Sequence, residues 1–499
     1  MSKEKKIGLV LSIAMIVGSV VGIGIFFKNG SISKAVDGDG VSWLFAWIIG
    51  GLISMAAAVS FAEIGSFKNG KLQGLSNWVY KITKNPKLAY HNSLGYAFFY
   101  WGILNTVLGI FASEALFYFF VLSDVISYKS ITIATHIFVG LVITVFFLAL
   151  NIWSYQAAGK FQFIITIIKF LPLFAALFIG IIFPNTHNNN GANAILKNAF
   201  TLKGIIAALP AVLFAYDAFL VSSSISEKTK SPTKTVPKAI LFAMIFVVVL
   251  YSLIAISSIL HSAGNVHELL SDSLPGKWKD NITMVVIFFI FLSALGVTNG
   301  ISSAFVNELS MNVQNHFIFG SKALLKKFTL AKTNIIYIVI IHAFYFLTIL
   351  VPSLALNTDI LMDAISNFPT LFFFVIYGLL IFKYTLKRKE YNETKKINNY
   401  LFYISSVLAI AGILFVELSF LVFQFQNLAS DRTNPSGWGV FWDNKKGSLI
   451  KNYVPILLYA IMLIFFISFP WINFKLEQKI FKRNIIQDFV ASKMTAVTE

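Results

Sequence analysis

The chain has 499 residues, of which 57% are hydrophobic and 12% charged, and its mean hydropathy is +0.76. Soluble domains carry about 25% charge, so the composition excludes a soluble protein and predicts an all-α integral membrane protein. The absence of cysteine excludes disulfides, thiolate metal sites and thiol redox switching, while the net charge of +18 calls for a partner or a topology that accounts for it.

A helical span needs about 20 apolar residues. Such runs occupy 7–27, 43–64, 92–123, 131–151, 161–183, 204–226, 236–261, 283–306, 333–352, 360–382, 398–425 and 452–474, twelve in all. The apolar start after Lys3–Lys6 imitates a signal peptide, but no small-residue cleavage site follows, so it is read as the first span. Twelve crossings place both termini on one side. Loops on that side hold 28 of the 40 Lys and Arg, the other side holds 11, and Lys169 lies inside a span. The positive-inside rule therefore predicts cytoplasmic termini, and the basic charge reads as topology and attraction to anionic headgroups of the bilayer rather than nucleic-acid binding.

Two spans are interrupted near the middle. In the first, Gly18–Phe26 (GSVVGIGIF) carries Gly18, Gly22 and Gly24 with Ser19. The glycines also suit close helix packing, but Gly24 weakens a straight helix and Ser19 can bond freed backbone groups. A break there would leave N–H groups of one half-helix and carbonyls of the other at the bilayer midplane, suited to the carboxylate and ammonium of a zwitterion. In the sixth span, Pro210 and Phe214-Ala215-Tyr216-Asp217 repeat the pattern, with a carboxylate in an apolar run. Asp217 reads either as a helix cap or as a functional acid; both require a break. Tyr216 and Phe219 read as apolar packing or as a gate.

Lys169, between IITII and FLPLF, reads as a snorkelling lysine or as a coupling group that releases and regains a proton as water reaches it from alternate sides. Glu114, Glu308 and Glu417 are further acids in or near spans; Glu114 suits a substrate or proton role and Glu417 a structural one. His136, His261 and His342 receive no role. No catalytic residue, metal site or cofactor is expected. Gly65–Lys71 misses a phosphate loop because Leu72 replaces its Ser or Thr, and Asp37–Gly40 misses a calcium loop because Ile48 stands where a Glu is needed. Neither HExxH nor GxSxG occurs.

These motifs resemble the amino acid-polyamine-organocation superfamily of permeases from about Ile7 to Lys389. GSVVGIGIF resembles its first helix, and LPAVLFAYDAF at Leu209–Phe219, followed by Glu227, Pro232 and Pro237, its sixth. FLSALGVTNG at Phe291–Gly300 resembles its eighth helix, AISNFPTLFFFVIYGLL its tenth, and Lys169 a lysine common in its fifth. The resemblance implies a five-plus-five inverted repeat, 7–183 and 204–385, within a core spanning 1–389. Two extra helices in 390–475 and a cytoplasmic tail, 476–499, would follow. It implies secondary transport of an amino acid across the plasma membrane. Backbone N–H groups of Val21, Gly22, Ile23 and Gly24 with the Ser19 hydroxyl would bind the carboxylate. Carbonyls near Val20, Phe214, Ala215 and Asp217 would bind the ammonium, and Lys169 would stand where sodium sits in sodium-coupled relatives of the fold. Proton symport leads; exchange of amino acids or polyamines is the alternative, with a membrane enzyme or a non-transporting sensor more remote. Ile23 in place of a small residue, Asp217 in place of glycine and VNELSMNVQN without arginine depart from the pattern. The outer loop, 426–451, reads as a lid or a connector.

Overall fold

A computed structural model describes residues 7–22, 24–127, 130–184, 200–224, 229–261, 269–270, 276–428, 433–434, 450–451 and 453–495. Ile23, Glu227 and most of the outer loop lie outside them.

Among the described residues the regular elements are helices, apart from a two-residue antiparallel pair, Thr433–Asn434 with Ile450–Lys451, and an isolated bridge between Ile7 and Thr229. In chain order the helices are α1 (Leu9–Val20), α2 (Asn29–Ala35), α3 (Gly40–Ile64), α4 (Gly74–Thr83) and α5 (Pro86–Leu122). Then come α6 (Ile133–Trp153), α7 (Tyr155–Ile168), α8 (Phe170–Ile182), α9 (Leu202–Tyr216), α10 (Val221–Ser224), α11 (Pro232–His261) and α12 (Gly276–Gln314). The remainder are α13 (Ser321–Lys327), α14 (Leu330–Ala355), α15 (Ile360–Leu386), α16 (Asn399–Leu428), α17 (Tyr453–Phe481) and α18 (Ile485–Thr495). Counting the continuous run Tyr155–Ile182 once, ten are long and apolar enough to cross a membrane.

The first and sixth expected spans are the exceptions. α1 has 12 residues and α9 has 15, so at 1.5 Å per residue each falls short of a hydrocarbon core about 30 Å thick. Each stops at a break. The fifth expected span stays continuous, with only a local irregularity between α7 and α8 at Lys169, which keeps helical dihedrals and its bond to the Ile165 carbonyl. Pro172 lacks the N–H that Ile168 would need to continue the ladder. Pro210 does not interrupt α9, whose break comes seven residues later.

α1 is held among α7, α11 and α12, and α9 among α2, α3, α15 and α16. The heaviest packing joins α5 to α12 and α3 to α11. α16 and α17 lie at the periphery, with Val407, Ile464 and Ile467 exposed outward as lipid-facing residues are. Polar anchors hold these layers. Arg388 donates to both oxygens of buried Glu63 at 2.7–2.8 Å, and Tyr384 and the Ile397 amide add donors to the same carboxylate. Burial alone would lower the Arg388 pKa, but the hydrogen-bonded Glu63 carboxylate outweighs it and raises it above its ordinary value. Asn473 of α17 donates to the Tyr90 hydroxyl and the Phe317 carbonyl, fastening the peripheral pair to α5 and to the end of α12. α17 runs past the expected end at 474 to Phe481, and Phe489 of α18 packs on Phe317 and Tyr80.

Candidate functional site: two facing helix breaks

α1 ends because Val21 turns extended (ψ 100°), with a bend through Gly22 before a π-helical turn, Gly24–Lys28. α9 ends because Asp217 turns extended and Ala218 takes φ +64°, a left-handed conformation costing a non-glycine residue about 1 kcal/mol. The Tyr100 hydroxyl accepts the freed Ala218 N–H at 3.2 Å.

The breaks touch. A Cβ on Gly24 would lie 2.8 Å from the Ala215 Cα, so only glycine permits this approach. A Cβ on Gly22 would strike the Val297 side chain of α12, and one on Gly18 would come within 2.7 Å of the Thr166 hydroxyl of α7. The glycines therefore serve close packing as well as the break.

At the end of α1 three carbonyls gain a partner from another helix. The Lys169 Nζ, fully buried, donates to the carbonyls of Gly18 at 2.7 Å, Val17 at 3.4 Å and Val21. Three acceptors match the three protons of an ammonium, and a cation at a helix C-terminus is favoured by the dipole. Among the described residues no carboxylate pairs with it. Glu114 is buried on α5 and is not among the partners of Lys169. The Val20 carbonyl accepts the Tyr251 hydroxyl at 2.9 Å, so one of its lone pairs is already engaged.

Asp217 is buried beside the other break. Thr370 of α15 donates to its Oδ2 at 2.6 Å, while Oδ1 makes no hydrogen bond. Ser19 faces elsewhere than the Gly24–Ala215 contact. Its Oγ lies against Gly300 of α12 and has no hydrogen-bond partner. Tyr216 packs edge-on against Trp47 at 5.8 Å and beside Tyr251 at 5.1 Å. Phe219 lies beyond the break, against Phe61, Phe374 and Tyr377. Phe214 is partly buried and Ala215 buried at the contact. On the side of α2, Trp43 and Trp47 both donate to Asn29, which donates to Ser258 at 2.8 Å. Glu417 faces Tyr459 of α17 across the peripheral pair. Among the described residues no group of three acidic or imidazole side chains is placed to hold a metal.

The structure thus joins Gly24 with Ala215 and Lys169 with Val17, Gly18 and Val21. Sequence reasoning did not single out Tyr100, Tyr251 or Thr370. Thr370 sits in the quoted AISNFPTLFFF motif, where a hydroxyl beside proline was the available signal; the tyrosines are masked by a chain with 51 Phe and 18 Tyr.

Among known proteins, the chain is 24% identical to the serine/threonine exchanger SteT of Bacillus subtilis over 432 residues, 84% of this chain and 92% of that protein. It is 24% identical to the human cystine/glutamate transporter over 60% of this chain and 58% of that one. The aspartate-proton symporter of Bacillus subtilis is 25% identical across 48% of this chain and 46% of its own. The amino acid permease profile matches residues 11–484. With that match covering nearly its whole length, the chain belongs to the amino acid permease family, within the amino acid-polyamine-organocation superfamily.

Proposed function

We propose that this protein imports an amino acid across the plasma membrane by alternating access, as a proton symporter with both termini cytoplasmic. The observation that carries this reading is the buried Lys169 ammonium on three carbonyls at the end of α1. Losing one proton removes one of the three bonds from the Lys169 Nζ and loosens α1 from the α7–α8 junction. Protonation and the position of α1 are then linked, as a coupling site requires. Glu114, buried on α5, is the second candidate for a proton role.

The substrate lies between the breaks. Its carboxylate meets the backbone past the end of α1 at Gly22 and Gly24, since the Val21 N–H is already given to the Val17 carbonyl at 2.8 Å, and its ammonium meets Oδ1 of Asp217 and carbonyls near Val20, Phe214 and Ala215. Tyr216 and Phe219 bound the site on either side. The core, 1–389, comprises inverted repeats 7–183 and 204–385, giving twelve crossings with the two helices of 390–475; 476–499 is the tail. The pairing of α3 with α11 and of α5 with α12 supports that symmetry, since helices at matching places in two halves meet across a two-fold axis.

Uptake of labelled amino acids into proteoliposomes, with and without an imposed pH gradient, tests the reading. Wild type should accumulate substrate when the gradient is inward, and Lys169→Ala should lose accumulation while retaining some binding. Gradient-driven uptake by Lys169→Ala at the wild-type rate would end the proton hypothesis. The second reading, exchange, is favoured by similarity to SteT and the cystine/glutamate transporter. It expects uptake accelerated by internal amino acid and indifferent to the gradient.

A further inference from the structure

A second buried acid lies away from the Lys169 site. Glu308, on α12, is 1% exposed, and neither carboxylate oxygen makes a hydrogen bond. Among the described residues no ion pair reaches it. Among the described residues the groups near it are hydroxyls: Ser224 of α10 and Tyr96 in the π-helical turn of α5. Tyr96 in turn faces Tyr377 of α15, and the hydroxyls of Ser224, Tyr96 and Tyr377 also lack hydrogen bonds. Tyr96 packs on Tyr100 at 4.9 Å, and both tyrosines feel Asp217. The buried Tyr96–Tyr100 pair thus stands near both the acid at the α9 break and Glu308.

Position adds to this. The segment just after α10 meets the start of α1, where Ile7 pairs with Thr229 and Lys230 donates to the Ile7 carbonyl at 2.8 Å. Glu308 therefore lies on the side of the breaks that holds the amino-terminal end of α1, and that side is closed over it. A lone carboxylate without water or a cation is strongly disfavoured there, whereas a neutral carboxyl is tolerated.

We propose that Glu308, with Ser224 and Tyr96, is a second proton-binding site on that side. It holds a proton while the side is closed and passes it to water, leaving a carboxylate, when the side opens. The role in transport rests on the proton-symport reading; the occupancy of Glu308 by a proton does not.

Two measurements separate these. Infrared difference spectra of the purified protein between acid and alkaline buffer should show a protonated carboxyl band that is lost in Glu308→Gln and displaced in Ser224→Ala. An unchanged carboxyl band in Glu308→Gln overturns the proposal. In proteoliposomes, Glu308→Gln should lower pH-gradient-driven accumulation of labelled amino acid about tenfold, an ordinary coupling magnitude, while exchange of labelled for unlabelled amino acid persists and shows that the variant folds. Wild-type accumulation by Glu308→Gln also overturns it. If wild type ignores the gradient, the symport reading falls and the infrared result alone decides this proposal.

Discussion

At the scale of single residues, the site is built from groups that cannot be exchanged for near equivalents. A side chain at Gly24 would run into the Ala215 backbone at 2.8 Å, and backbone cannot rotate aside as a side chain does. Gly24→Val should therefore abolish uptake while the protein still reaches the membrane, measured as transport per molecule at the surface; near-normal transport would show that the contact is dispensable. Asp217→Asn keeps the Thr370 bond but removes the charge offered to an ammonium. A charge-assisted bond contributes about 1.5–3 kcal/mol, so substrate binding should weaken roughly ten- to a hundredfold, read by ligand competition. Unaltered affinity would place the ammonium elsewhere. The two breaks were marked in the sequence, because three glycines crowd one short stretch of the first span and a carboxylate follows Phe-Ala-Tyr in an otherwise apolar run. What the chain did not reveal was which carbonyls Lys169 reaches and that Ser19 turns toward Gly300. Both depend on side-chain direction in packed helices, which spacing alone does not determine.

At the scale of elements, long apolar runs translate into long helices with small errors at their ends, since lipid leaves the backbone no other partner. The harder cases are local. The irregularity between α7 and α8 at Lys169 was not foreseen because the residues around it are uniformly apolar, although Pro172 was its marker. α4 and α18 escaped because neither is a span, yet α18 sends Phe489 against Phe317 and Tyr80. The Glu63–Arg388 pair was invisible because its members are 325 positions apart. It joins the end of α3 to the segment after α15, and breaking a buried pair leaves an unmatched charge. Arg388→Ala should cost about 3–5 kcal/mol, lowering the midpoint of thermal unfolding in detergent, and Glu63→Gln with Arg388→Met together should recover part of the loss. An Arg388→Ala protein as stable as wild type would contradict the ledger of bonds at Glu63.

For the whole molecule, alternating access demands that buried surface on one side become wet in a substrate-dependent way. The chain has no cysteine, so a single introduced thiol reports without background. Ser223 is fully buried on the closed side. Ser223→Cys should react slowly with an impermeant maleimide applied from the side of the termini, and substrate that shifts the population should accelerate labelling about tenfold; a rate blind to every amino acid tested would speak for a static scaffold. The parallel bridge of Ile7 with Thr229 bears on how that opening proceeds. It stitches the leading strand of the polypeptide to the stretch trailing the second discontinuity, so the two cannot part from the bundle one at a time without tearing the seam. Yet a backbone hydrogen bond is worth only about 1 kcal/mol net, making the seam a hasp rather than a lock: thermal motion undoes it readily, and when it goes, both discontinuities are freed in the same event.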